Sequence, residues 1–296
     1  MWFCARFNVP TVLFMLSLLT SCTPAAPLNF LARNGAWTVS TDKYGPGSRN
    51  GVDIYTPTGA VNAPVIVFFY GGNWQSGDKE TYRFVAASLA ARGYVTIVPD
   101  YRVYPAVRIA GILQDGARAF AWAKRNAGRF GGDPRHMFLM GHSAGAHIAA
   151  MLTLDGSWLA RVGLNSRRDI AGLIGVAGPY DFLPLHDKTL EAVFAGGDLT
   201  RTQPISFVAG NEPPVLLMTG RQDTTVDPGN TTRLAARLRS KGDDVTEIEY
   251  PAIGHLAIVG AFSPVLKLLA PVLDDVDAFV EAHAKSPNQM RGEAAR

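Results

Sequence analysis

Five short apolar runs and a sixth, mixed one that is a plausible last strand, each halted by glycine or proline, constrain what this chain can fold into more than any other feature. Residues 65–70 stop at Gly71-Gly72, 94–98 at Pro99, 137–140 at Gly141, 173–177 at Gly178-Pro179, 215–219 at Gly220 and 245–250 at Pro251. Most are continuous and rich in β-branched or aromatic residues, as strands buried on both faces are. Between them, residues 82–91, 109–126, 144–154, 231–241 and 265–283 carry apolar side chains at helical spacing. Strand alternating with helix predicts an α/β fold: a mainly parallel sheet flanked by helices on both faces. A further strand at 52–55 is expected to run antiparallel ahead of the parallel series. Residues 180–214 show no clean period and hold several prolines and glycines, so they are expected to form a small cap region.

Hydrophobic residues make up 47% of the chain and charged residues 18%, enough apolar surface for a large core and too much for a disordered chain. The net charge of +3 is small for 296 residues, and no Lys/Arg stripe with interleaved aromatics occurs. Nucleic acid is therefore not an expected partner. With no His-x-x-x-His or Cys-x-x-Cys spacing, no metal site is expected, and nothing else in the pattern calls for a cofactor.

The first residues read as a targeting segment. Arg6 precedes an apolar run over 9–19 that is too short to span a bilayer comfortably and suits the hydrophobic region of an export signal. Leu19-Thr20-Ser21-Cys22 resembles the lipobox of bacterial lipoproteins, in which the cysteine becomes the first mature residue and carries lipid. The resemblance implies a signal peptide at 1–21, lipidation of Cys22 and anchoring to a membrane of the bacterial cell envelope. Two readings compete: a cut after Ala25 by ordinary signal peptidase, giving a periplasmic or secreted soluble protein, or an uncut segment that stays as an anchor. Cys4 would leave with the signal, so the mature chain could form no internal disulfide. The expected organisation is a tether at 22–45, one domain at 46–284 and a flexible tail at 285–296.

Gly141-His142-Ser143-Ala144-Gly145 is a G-x-S-x-G placed directly between a strand and a helix. A turn this tight strains the serine backbone, leaves no room for flanking Cβ atoms and lifts the hydroxyl above the strand ends. Ser143 is the expected nucleophile. The amide of Ala144 is expected to face a developing oxyanion at the helix N-terminus. The second wall of that oxyanion hole is expected from Gly72 and Asn73 in the glycine loop after the first long strand.

A serine hydroxyl needs a base, and the base needs a carboxylate to fix its tautomer. Asp223 follows the strand at 215–219, and His255 follows the one at 245–250, in the chain order serine, acid, histidine. Asp227, Asp181 and Asp198 are rival acids; Asp227 precedes Pro228 and reads as a helix N-cap. Among the other histidines, His147 sits inside the helix after the nucleophile and reads as a packed residue.

On these residues the chain resembles esterases of the α/β-hydrolase superfamily, in the carboxylesterase branch near the hormone-sensitive-lipase-like enzymes, over roughly residues 52–259. Gly71-Gly72-Asn73-Trp74-Gln75-Ser76-Gly77 and Gly141–His147 are similar to segments of kynurenine formamidases. Pro99-Asp100-Tyr101-Arg102 and Gly131-Gly132-Asp133-Pro134 resemble isoprenylcysteine methylesterases. These families carry His-Gly-Gly where this chain has Tyr70-Gly71-Gly72. The resemblance implies hydrolysis of a small-molecule carboxylic ester through an acyl-enzyme. Trp74 and Tyr101 are candidate substrate-binding pocket walls, with a packing role the equal alternative for each. An arylformamide substrate, or a catalytically silent envelope binding protein on the same fold, are the alternatives.

Overall fold

The computed structural model describes residues 25–284. Eight strands form one sheet in the order β1-β2-β4-β3-β5-β6-β7-β8. These are β1 (Trp37–Lys43), β2 (Gly51–Pro57), β3 (Ala63–Phe69), β4 (Val95–Pro99), β5 (Gly132–His142), β6 (Gly172–Val176), β7 (Val215–Gly220) and β8 (Val245–Tyr250). The pairs β1–β2 and β2–β4 are antiparallel, and every other pair is parallel. The flanking helices include α1 (Ala26–Leu31), α2 (Arg83–Ala91), α3 (Ile109–Asn126), α4 (Ala144–Leu154), α5 (Lys188–Phe194), α6 (Gly229–Arg239), α7 (His255–Gly260) and α8 (Val272–Ala284). The core is the central strands, with Val65, Ile66, Val67, Phe68 and Phe69 of β3 fully buried.

Chain order fixes where the site falls. From β3 the chain passes to β4 on one side and then returns to β5 on the other. At such a switch point the loops leaving the two strands diverge and open a crevice at their carboxyl ends. Phe69 is in register with Gly141, so the loop after β3 and the turn after β5 emerge side by side.

Two expectations need correction. Residues 37–43 do not belong to a tether: they form the edge strand β1, paired along its whole length with β2. Most of β1 is exposed, so it shows no apolar alternation by which a strand is recognised. The last helix begins at Val272, not at 265, because Pro264 and Pro271 bracket a series of turns. Within the cap region, α5 is capped by the Asp187 carboxylate, which accepts from the Leu190 amide at 2.8 Å, and two short 3₁₀ turns follow.

The signal at 1–21, Cys22 and the tail at 285–296 lie outside the described residues. Among the described residues no helix is long and apolar enough to cross a membrane.

Candidate active site

Ser143 stands between β5 and α4 with φ 56° and ψ −125°, a strained conformation for a residue with a side chain. The flanking glycines show why the turn tolerates nothing larger. A Cβ on Gly141 would lie 2.2 Å from the Gly145 backbone, and one on Gly145 would lie 2.0 Å from the Phe69 carbonyl. The Ser143 amide donates to the Val176 carbonyl at 2.9 Å, pinning the turn to β6.

His255 opens α7 just past β8, and Asp223 lies in the turn after β7. The Ser143 hydroxyl donates to His255 Nε2 at 2.9 Å, and His255 Nδ1 donates to Asp223 Oδ2 at 2.7 Å. The other carboxylate oxygen of Asp223 accepts from the amides of Thr225 and Val226 at 2.8 and 2.9 Å. Burial alone would raise this carboxyl. The hydrogen bonds from His255 and from the two amides outweigh it and hold its pKa below the ordinary carboxylate value. An anionic Asp223 facing Nδ1 fixes the tautomer that leaves Nε2 free to accept the serine proton.

The loop after β3 is wound tightly against Ser143, whose Cβ would lie 3.1 Å from a Cβ on Gly71. Gly72, Asn73 and Trp74 have φ of 138°, 54° and 59°, and a Cβ on Gly72 would lie 2.2 Å from the Ser76 carbonyl. The Gly72 carbonyl takes the amides of Gln75 and Ser76 at 3.0 Å, closing the turn. Among the described residues, the amides of Gly72, Asn73 and Ala144 donate to no protein acceptor. Amides left without protein partners in the same cleft as a serine hydroxyl are the arrangement that can hold an oxyanion.

Tyr70 takes the place of the expected histidine. Its hydroxyl donates to Asp100 Oδ1 at 2.9 Å and accepts from the Arg49 guanidinium at 3.0 Å. Arg49 also binds the carbonyls of Gly77 and Tyr101, at 2.6 and 2.8 Å, so both ends of the loop are tied to one side chain. Tyr101 is a correction. It is fully buried behind the loop, stacks on Tyr70 at 4.6 Å and donates its hydroxyl to the Tyr70 carbonyl at 2.6 Å. It props the glycine loop from beneath and does not line the cleft.

The cleft above Ser143 has a volume of about 950 Å³ and is lined by Trp74, Tyr82, Phe182, Leu190, Val226 and Leu256, among others. Trp74 stands where expected, in the wall, stacked on Phe182 at 5.9 Å. The rival acids are engaged elsewhere. Arg233 binds Asp181 at 2.6 Å and Asp227 at 3.2 Å at the rim, and Asp227 also accepts the Gly229 amide. Asp198 accepts from the amide and hydroxyl of Thr200.

Two buried histidines were not assigned to the site from sequence. His142 donates through Nε2 to the His255 carbonyl at 3.1 Å, and His147 donates through Nε2 to the Thr202 carbonyl at 2.8 Å. Burial, aided by the neighbouring His255, pushes the His142 pKa down to about 3, and burial lowers that of His147 to about 4. Both are neutral near pH 7, and both are engaged with backbone carbonyls, while the Ser143 hydroxyl is hydrogen-bonded to His255. Their positions, at the end of β5 and inside α4, carry no sequence signal of which backbone they hold.

The BD-FAE family model matches residues 52–238. Esterase LipC of Mycobacterium tuberculosis is 31% identical over 215 residues, covering 65% of this chain and 53% of LipC. Isoprenylcysteine alpha-carbonyl methylesterase ICME of Arabidopsis thaliana is 27% identical over 239 residues, 72% of this chain and 55% of that protein. The chain thus spans about half the length of these curated relatives. The apo form of Thermogutta terrifontis esterase 2 superimposes with a TM-score of 0.71 at 24% identity, covering 84% of this chain and 96% of that one. That likeness establishes the α/β-hydrolase fold.

Proposed function

The chain belongs to the BD-FAE family, and on that premise we propose that it hydrolyses carboxylic esters through an acyl-enzyme on Ser143. The observation that carries this reading is the 2.9 Å hydrogen bond from the Ser143 hydroxyl to His255 Nε2, backed by Asp223 at 2.7 Å. As Ser143 Oγ attacks the ester carbonyl carbon, His255 Nε2 takes its proton. Negative charge moves to the carbonyl oxygen, which the amides of Gly72, Asn73 and Ala144 receive; each such donor is worth roughly 3–4 kcal/mol. His255 then passes its proton to the departing alcohol oxygen, leaving the acyl group on Ser143. Water, deprotonated by the same imidazole, releases the acid and restores the hydroxyl. Asp223 stays ionised throughout and stabilises the imidazolium.

Names of relatives support the same class: LipC and the Thermogutta protein are called esterases, and ICME a methylesterase. Ser143→Ala is expected to abolish labelling by a fluorophosphonate probe and to cut p-nitrophenyl acetate turnover about 10⁴-fold or more, with circular dichroism unchanged. Retained turnover in the folded variant overturns the proposal. The motif similarity to kynurenine formamidases makes an aryl formamide the competing substrate, and comparing kcat/KM for it and for p-nitrophenyl acetate decides between them.

We propose further that Cys22 is lipidated and anchors the domain to a membrane of the cell envelope. The lipobox-like Leu19-Thr20-Ser21-Cys22 supports this. Cys22→Ala is expected to move the protein from the membrane fraction to the soluble fraction; an unchanged distribution overturns it.

A further inference from the structure

A second cavity, of about 270 Å³, lies on the other side of the aromatic wall of the cleft. Trp74 lines the cleft, and its ring meets that of Phe194 edge-on at 4.8 Å. Phe194 in turn lines the second cavity and is 1% exposed. Of the residues around that cavity, Ile109 and Leu113 are buried while Arg161 and Arg201 are exposed, so its apolar end points inward, toward Phe194. Two aromatic side chains therefore separate the two spaces.

The wall is held at a cost that packing alone does not explain. Trp74 has φ 59°, and its buried Nε1–H has no hydrogen-bond partner among the described residues; His147 Nδ1, against the same ring at 5.2 Å, has none either. Strain and unpaired polar atoms are retained in folded proteins chiefly where function needs them.

The direction of the reaction says which part of a substrate meets this wall. The leaving oxygen must receive its proton from His255 Nε2, so the alcohol lies on the side of Val226 and Leu256. The acyl carbon holds the oxyanion against Gly72 and Asn73, and Trp74 is the next residue of that loop. We infer that Phe194, through Trp74, is a specificity-determining residue that confines the acyl group to short chains by closing the cleft off from the second cavity. This rests on the ester hydrolysis proposed above.

The test compares kcat/KM for p-nitrophenyl octanoate and p-nitrophenyl acetate in wild type, Phe194→Leu and Phe194→Ala, with active sites titrated. A ratio within one preparation is insensitive to the fraction folded, and Phe194→Leu serves if the alanine variant does not fold. The octanoate-to-acetate ratio is expected to rise at least about tenfold in Phe194→Ala, with a smaller rise in Phe194→Leu. A parallel series of acetates with lengthening alkyl alcohols is expected to keep its wild-type ratios. An unmoved acyl ratio in titrated variants overturns the partition, as does widening confined to the alcohol series. Wild-type protein that turns over no ester overturns instead the ester reading on which the inference stands.

Discussion

His142 Nε2 donates to the backbone carbonyl of His255 at 3.1 Å, and the two imidazoles stand 4.8 Å apart. The residue before Ser143 thus holds the main chain of His255, the proposed base. Because His142 is buried and neutral, it does this without adding a charge beside His255. His142→Phe keeps the ring volume and removes the donor. A lost neutral hydrogen bond is worth about 1 kcal/mol, so kcat is expected to fall roughly 5- to 10-fold with KM nearly unchanged. Steady-state kinetics on p-nitrophenyl acetate checks this, and equal losses in kcat and in melting temperature without the kcat–KM split would mark a merely structural role.

Asp223→Asn tests the tautomer argument. The amides of Thr225 and Val226 hold one side-chain oxygen of Asp223, so the asparagine oxygen would remain there. Its NH₂ would then face His255 Nδ1, which becomes the acceptor and places the proton on Nε2. Two donors would confront each other at the Ser143 contact, now 2.9 Å. A drop in kcat of roughly 10⁴-fold near pH 7 is expected, with binding of a non-hydrolysable ester analogue little changed.

How far these residues were legible in sequence depended on where each kind of signal comes from. Ser143 and Asp223 each follow an apolar strand that ends at a glycine, and His255 follows a mixed strand stopped by Pro251; strand ends are what such punctuation reveals. The cap gave no period because its turns are held by single side chains on backbone groups, such as Asp187 and Asp198, and Gln203 on the Phe182 amide. Exposed β1 and the single long turn of α7 bury too little to leave a periodic trace. Tyr101 shows the limit for aromatic residues: a tyrosine in a motif does not announce whether its hydroxyl reaches substrate or, as here, the Tyr70 carbonyl.

Acid should destabilise the fold through its buried histidines. His147 has a pKa near 4 in the folded protein against 6.5 when free, because burial disfavours its charged form. Between these values the unfolded chain binds more protons than the folded one, so stability is full above about pH 6.5 and falls as the pH drops toward 4. From pH 7 to 5 the loss from His147 is about 2 kcal/mol, and His142 adds to it in the same direction. Lowered Asp223 contributes the same sign at more acid pH. His147→Gln keeps a donor for the Thr202 carbonyl without titrating. Urea denaturation at pH 7, 6 and 5 is expected to show a shallower loss in that variant than in wild type.

Tyr70→Phe isolates the hydroxyl that stands in for a histidine. The ring would keep its stacks on Tyr101 and Tyr82, at 4.6 and 5.9 Å. What disappears is the bridge between Asp100 and Arg49, and Arg49 is the side chain that ties the loop at Gly77 to the backbone of Tyr101. Leaving half-buried Asp100 and Arg49 short of a partner is expected to cost about 1–3 kcal/mol of stability. If the bridge also positions the Gly72 and Asn73 amides, kcat falls by roughly tenfold while KM moves less, since those amides act on charge that develops in the transition state. Tyr70→His, which can donate to Asp100 from a ring nitrogen, is expected to recover part of the rate. A Tyr70→Phe protein that loses stability but keeps its kcat would show that Arg49 alone holds the loop.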